Sequence, residues 1–300
     1  MLKLKSIKKM RFILTDFCNY QCKFCHNEGY QTKDTIYLGL KNILTLTKIA
    51  KKMCIPKITL TGGEPLLHKD IVEIVGGIKK IYPDVSLGMS TNGMRFNENN
   101  FLPIIKQIDR LRLNCQSLDN ETCKSVCGPT ANTNKIIWIV ENAKKENPNL
   151  NICLNFVLTI YNKDSIASLV KYAVKNQIDV KILEYKKINK QLYVGINFAK
   201  EILKKLSPKK EEKDYQDDDI YTFKNSKSRI RLCYSFCNTL KCNSCRECGE
   251  LRLTPDLKFK HCFDDKIEEF DVKVDLAKEN LESLEKLIVK IDKIKGRVLI

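Results

Sequence analysis

The chain has 300 residues, which suits one large domain or two ordinary ones at about 150 residues each. At 43% hydrophobic and 30% charged, with apolar runs such as Ile136–Val140 far shorter than a bilayer span, it does not read as a membrane protein. Lys and Arg (53) exceed Asp and Glu (36), a net charge of +17 that favours acidic partners, yet no arginine-rich tract or basic run interleaved with aromatics argues for nucleic acid. The basic N-terminus lacks an apolar stretch followed by a small-residue cleavage site, so no signal peptide is expected and the cytoplasm is the expected compartment. Fourteen cysteines beside three histidines, in a chain with no secretion signal, point to metal binding before disulfides.

In chain order, Phe12–Thr15 reads as a strand and 35–52 as a helix. Lys57–Thr61 is a strand closed by Gly62-Gly63, and Leu67, Ile71, Ile74, Val75 and Ile78 then follow at helical spacing. Val85–Met89 is a strand, 98–108 a helix, Arg110–Cys115 a strand and Asn134–Lys145 a helix. Ile152–Leu158, the helix 164–176 and the strand Ile178–Glu184 complete the series. Strands alternating with helices imply a parallel sheet, so the fold class is α/β, a partial (βα)6 TIM-type barrel whose chemistry sits at the C-terminal strand ends. Residues 1–206 form this core. Residues 207–228 mix both charges with few apolar residues and are expected to be a solvated linker. Residues 229–300 hold a cysteine-rich region and a C-terminal helix near 276–295, with Leu281, Leu284, Ile288, Ile291 and Ile294 on its buried face.

After the first strand stands Cys18-x3-Cys22-x2-Cys25. Three thiolates on one loop can hold three corners of a cubane iron–sulfur cluster, leaving the fourth iron open to a small molecule. A zinc site, or buried free thiols, is the alternative that the spacing alone leaves open. The second strand ends in Thr61-Gly62-Gly63-Glu64-Pro65 and the third in Ser90-Thr91-Asn92-Gly93. Glycine at such ends lets backbone approach a ligand closely.

These three motifs, one per βα unit and in this order, resemble the radical S-adenosylmethionine (radical SAM) superfamily, with Phe24 as the aromatic before the third cysteine. The resemblance implies a 4Fe–4S cluster on Cys18, Cys22 and Cys25 that passes an electron to SAM. It also implies a SAM site lined by Gly62, Gly63, Glu64, Ser90, Thr91 and Asn155. Methionine and a 5′-deoxyadenosyl radical result, and the radical takes a hydrogen atom from the substrate. An electron donor such as a flavodoxin or ferredoxin is implied as partner.

Near the C-terminus, Cys245-x2-Cys248-x13-Cys262 again offers three thiolates, with Leu251–Asp256 reading as a strand and turn that could return the chain. A zinc knuckle with Cys242 or His261 as fourth ligand is the alternative. This segment resembles the MoaA-like group, the GTP 3′,8-cyclases of molybdenum-cofactor biosynthesis, which implies a second 4Fe–4S cluster facing a nucleotide. Arg11 and Arg252 match basic residues of that group, and Lys181 is a further candidate for an anionic substrate. Glu250 stands where a carboxylate would repel phosphate. Related enzymes with C-terminal clusters modify peptides, so a peptide substrate is the second reading, and a metal-binding interaction protein the third. Cys233, Cys237 and Cys242 are surplus thiols without a role, while Cys54, Cys115, Cys123, Cys127 and Cys153 read as small buried hydrophobes.

Overall fold

Apolar residues three and four apart, as in Ile71, Ile74, Val75 and Ile78, alternate along the chain with short β-branched runs that change face at each residue. In the computed structural model, which describes residues 4–25, 35–185, 189–213, 218–234, 248–262 and 268–297, this becomes a strand–helix series. Its first part runs β1 (Lys9–Ile13), α1 (Leu40–Lys52), β2 (Lys57–Thr61), α2 (Ile71–Ile81), β3 (Ser86–Thr91), α3 (Phe101–Ile105) and β4 (Arg110–Asn114). There follow α4 (Asn120–Cys127), α5 (Thr133–Glu146), β5 (Asn151–Leu158), α6 (Ile166–Lys175), β6 (Asp179–Glu184) and α7 (Ile196–Lys205). The rest comprises β7 (Lys210–Lys213), β8 (Asp219–Thr222), β9 (Arg229–Cys233), β10 (Glu250–Leu253), β11 (Lys258–Lys260), β12 (Phe270–Asp271), α8 (Lys273–Ala277) and α9 (Leu281–Arg297).

All the strands join one sheet in the order β12-β11-β10-β1-β2-β3-β4-β5-β6-β9-β8-β7. From β10 through to β9 the neighbours are parallel, and an antiparallel hairpin closes each side. This is the open α/β barrel that the alternation predicts, extended beyond six strands by β9 and β10. The register puts Met10, Ile58 and Leu87 at one level, with Leu111 on the same face two residues further along, level with Met89. These side chains are fully buried with Ile43, Leu46, Ile74 and Ile78 of the helices. Each such aliphatic burial stabilises the fold by about 1.5–3 kcal/mol before entropy is counted. The opposite face carries Arg11, Thr59, Ser90, Arg112, Asn155, Lys181, Arg231 and Arg252 at matched registers, so one side of the sheet is polar and largely cationic.

Several sequence expectations change here. The first strand lies three residues earlier than Phe12–Thr15, because its pairing to Ile58 begins at Met10. The helix expected over 98–108 is the short α3, and α4 and α7 add helices the periodicity did not announce. The expected linker 207–228 contains β7 and β8, which extend the sheet from β9. Ile220 and Tyr221 are fully buried there, so two apolar side chains anchor an otherwise charged segment. Cys54 is exposed rather than buried: it follows α1 with a φ of 54°, in a turn that leaves the helix face.

The C-terminal helix α9 buries Leu284, Ile288 and Ile291 as its spacing foretold. Its Asp292 also ties the two ends of the chain together, accepting from the backbone N–H of Lys5 (2.9 Å), Ser6 (2.8 Å) and Ile7 (2.6 Å). Asp292→Ala strands donors that are buried in the fold and removes a charged acceptor, so it is expected to cost about 3 kcal/mol in chemical denaturation. A midpoint equal to the parent's would refute this role. No helix among the described residues is long and apolar enough to cross a membrane.

Candidate active site

The cluster of motifs foreseen at the strand ends is joined by backbone. After β1, Gly63 N–H donates to Thr15 O (2.7 Å) and Glu64 N–H to Phe17 O (2.8 Å), so the Gly-Gly turn lies directly on the cysteine loop. Both glycines are required by contact. A Cβ on Gly62 would meet Thr15 O at 2.5 Å, at a φ of 147°, and one on Gly63 would meet Phe17 O at 2.2 Å.

Glu64 is completely buried and links the second motif to the third. Its carboxylate accepts from Thr91 Oγ1 (2.5 Å), Asn92 N–H (2.7 Å) and Leu66 N–H (3.0 Å). Burial pushes its carboxyl up to about 7 against those three donors, so a neighbouring positive group would hold it ionised. Asn92 then reaches the first motif: its Nδ2 donates to Asn19 Oδ1 (2.9 Å) and lies 3.8 Å from Cys18 Sγ. Thus Glu64, Thr91, Asn92 and Cys18 form one continuous network across β1, β2 and β3. Asn92 was visible inside the Ser90–Gly93 motif but was not singled out; only its reach to Cys18 shows what it does.

Cys18 also accepts from Tyr20 N–H at 3.4 Å. Burial pushes the Cys18 thiol up to about 12, so a thiolate there needs a bound cation to persist. Cys22 has Asn114 Nδ2 3.7 Å away, and Cys25 is exposed at the edge of the loop. Soft sulfur donors met by amide N–H groups are what an iron–sulfur cluster requires of its surroundings. Among the described residues no three His, Cys, Asp or Glu side chains gather as single-ion ligands do. Ser90 on β3 and Asn155 on β5 stand on the polar face of the sheet, level with Arg112 and Lys181 respectively.

Cys248 precedes β10 and Cys262 follows β11, and since these strands are antiparallel the two thiols return to the same end of their hairpin. Cys245 lies outside the described residues, as do Cys237 and Cys242. Because β10 runs parallel to β1, with Glu250 level with Lys9, this end is opposite to the one carrying Cys18. The height of β1, about 13 Å at 3.3 Å per residue, separates the two cysteine sets.

Between them stands a buried charge cluster. Glu250 pairs with Lys9 (2.9 Å), Arg11 (3.4 Å) and, at close range, Arg252. Burial alone would raise the Glu250 carboxyl, but Arg11, Arg252 and Lys9 overcome it and hold it well below the usual range. The carboxylate expected to repel an anion therefore pairs with the cations expected to bind one and offsets one unit of their charge. Lys181 stands apart from this group, beside Cys153 and Cys233. Cys233 is buried on β9 near Asp218 and Arg231.

A loop of three thiols clasped by a glycine turn, with a buried carboxylate behind it at the strand ends of an open α/β barrel, defines a class of protein. The radical SAM superfamily model matches residues 12–173, and the chain belongs to that superfamily. Membership implies a 4Fe–4S cluster and SAM as cofactors. Its MoaA-like character shows in its relatives. A probable GTP 3′,8-cyclase of Thermococcus kodakarensis is 30% identical over 270 residues, covering 86% of this chain and 85% of the relative. One of Saccharolobus islandicus is 28% identical over 265 residues, covering 86% and 83%. In structure the chain is similar to SuiB of Streptococcus suis bound to S-adenosylmethionine, with a TM-score of 0.69 at 14% identity. That match covers 94% of this chain and 66% of SuiB, so this chain spans just under two thirds of its length. SuiB has also been solved with the precursor peptide SuiA, where the TM-score is 0.68 at 12% identity.

Proposed function

We propose that this chain is a radical SAM enzyme acting on a nucleotide, with GTP 3′,8-cyclisation as the first reaction to test. The observation that carries the reading is the Cys18–Asn92–Glu64–Thr91 network, which ties cluster loop, glycine turn and third strand into one cofactor cradle. Cys18, Cys22 and Cys25 hold the 4Fe–4S cluster. Gly62, Gly63, Glu64, Ser90, Thr91 and Asn155 line the SAM site, with Glu64 suited to an ammonium group that would hold it ionised. When bound, the cluster supplies the electron that splits SAM into methionine and a 5′-deoxyadenosyl radical. The chain's own part is to orient SAM and exclude water, through a glycine turn that leaves no side chain between backbone and ligand.

Cys245, Cys248 and Cys262 hold an auxiliary cluster at the opposite end of the polar sheet face. A substrate bound on that face lies between the two. Arg11, Lys181 and Arg252 are its candidate anion contacts, and the cationic character of the face favours phosphate. The nucleotide reading rests on that charge and on the names of the relatives. A second reading, a less charged substrate such as a peptide, is favoured by one observation: Glu250 already pairs with Arg11 and Arg252 and offsets part of their charge. Anaerobic incubation with SAM, dithionite and GTP decides between them. Formation of 5′-deoxyadenosine together with a cyclised nucleotide supports the first. Vigorous SAM cleavage with GTP left intact eliminates it.

A further inference from the structure

The cations on the polar face of the sheet are not equivalent, because most of them already have a partner. Lys9, Arg11 and Arg252 share Glu250. Arg231 faces Asp218 at 3.8 Å, and Lys260 pairs with Glu269. Arg110 is committed to the fold. Its guanidinium lies over Gly88 and donates to Ser86 Oγ (3.0 Å), Ser86 O (2.9 Å) and Ile58 O (3.1 Å). Lys57 opens β2 and is exposed, so water solvates it.

Arg112 on β4 and Lys181 on β6 remain. Both are half-buried. No carboxylate among the described residues lies within ion-pair distance of either. By register the nearest is Asp179, one strand beyond Cys153 from Arg112. That carboxylate accepts instead from Asn151 Nδ2 (3.3 Å) and Arg229 N–H (2.9 Å). A cation taken partly out of water without a counter-charge loses solvation, which a bound anion restores.

Their place on the sheet is specific. Arg112 is level with Ser90 on one side and Cys153 on the other, and Lys181 is level with Asn155. Two strands and one pleat separate the pair, about 12 Å between backbones, with the short side chains of Cys153 and Asn155 in between. Long cationic side chains on either flank of short ones can close on one anion between them. Arg11 is level with Arg110 through Thr59 and Gly88, so it and Arg252 lie nearer the strand starts than Arg112.

We propose that Arg112, together with Lys181, is the clamp for the anionic group of the substrate, which places a phosphate over β4 to β6 beside the SAM site. The proposal rests on the reading of the polar face as the substrate site and deepens it. A guanidinium presents a planar fork that matches two phosphate oxygens, and the ammonium of Lys181 adds a second charge. The face over β1 and β10, where Glu250 offsets part of the charge, is left for a less charged part of the substrate.

The test titrates inorganic tripolyphosphate, and separately GTP, into the anaerobically reconstituted full chain by calorimetry. The parent is expected to bind both. Arg112→Gln, at parent iron content, is expected to weaken both about tenfold, the loss of one hydrogen bond between charged groups. Arg112→Lys, which keeps the charge without the fork, is expected to fall between. Lys57→Gln removes the same charge from the exposed edge of the same face and is expected to change little, because salt screens it. Parent affinity in Arg112→Gln, a loss no greater than that of Lys57→Gln, or a parent that does not bind tripolyphosphate overturns the clamp. If Arg112→Gln does not fold, Lys181→Gln carries the same expectation and the same refutations. If tripolyphosphate binds through Arg112 while GTP is neither bound nor cyclised, the nucleotide reading fails and the clamp stands.

Discussion

Gly63→Ala is expected to leave the outer core folded and to empty the cofactor site. The added Cβ would lie 2.2 Å from Phe17 O, 2.4 Å from Phe17 C and 2.7 Å from Asp16 O. All three atoms are backbone, so no flexible side chain can swing away. Either the cysteine loop or the Gly-Gly turn must shift by an ångström or more, and the bonds from Gly63 to Thr15 and Glu64 to Phe17 are lost with it. The core around Ile58, Leu60, Leu87 and Met89 is untouched, so cooperative unfolding persists. A misplacement of that size costs about 100-fold in rate when reacting groups must be held in register. The check is 5′-deoxyadenosine formed per iron loaded; a parent-like rate would show that the turn does not position the cofactor.

Cys22→Ala has the largest expected effect of all. A cubane with two protein ligands loses its hold, so iron on anaerobic reconstitution should fall from about eight per chain to about four. Formation of 5′-deoxyadenosine should drop below detection, while the thermal midpoint changes little because Cys22 is half-buried on a loop. Four irons remaining would also count the second cluster independently. If the variant cleaved SAM at the parent rate, the assignment of the first cysteine motif would be wrong. If both parent and variant held zinc alone, the metal-binding alternative would stand instead.

How much of this was legible beforehand varies by element, and for physical reasons. The strands β2 to β6 and the helices α1, α2, α5 and α6 follow from periodicity, since each packs one apolar face. The helix α4 escaped because Cys123, Val126 and Cys127 are its buried positions, and cysteine carries a weak pattern signal. The edge strands β7 and β8 escaped because a charged segment needs only Ile220 and Tyr221 to dock on β9. Glu250 was legible as an oddity, but whether it repels or neutralises depends on where Lys9, Arg11 and Arg252 stand.

By itself the sequence determined the class of chemistry: three thiols at C-x3-C-x2-C, followed at the next two strand ends by Gly62–Pro65 and Ser90–Gly93. Such spacing works locally, because a loop of eight residues holds its own ligands together whatever the rest of the chain does. Only the tertiary structure decided what surrounds them. It brought Glu64, Thr91 and Asn92 to Cys18, set Cys127 and Asn114 beside Cys22, and sent Cys248 and Cys262 to the far end of the sheet. The contacts at the cysteine loop span up to 92 residues of sequence, the pairing of β10 with β1 spans far more, and the register of parallel strands sets them.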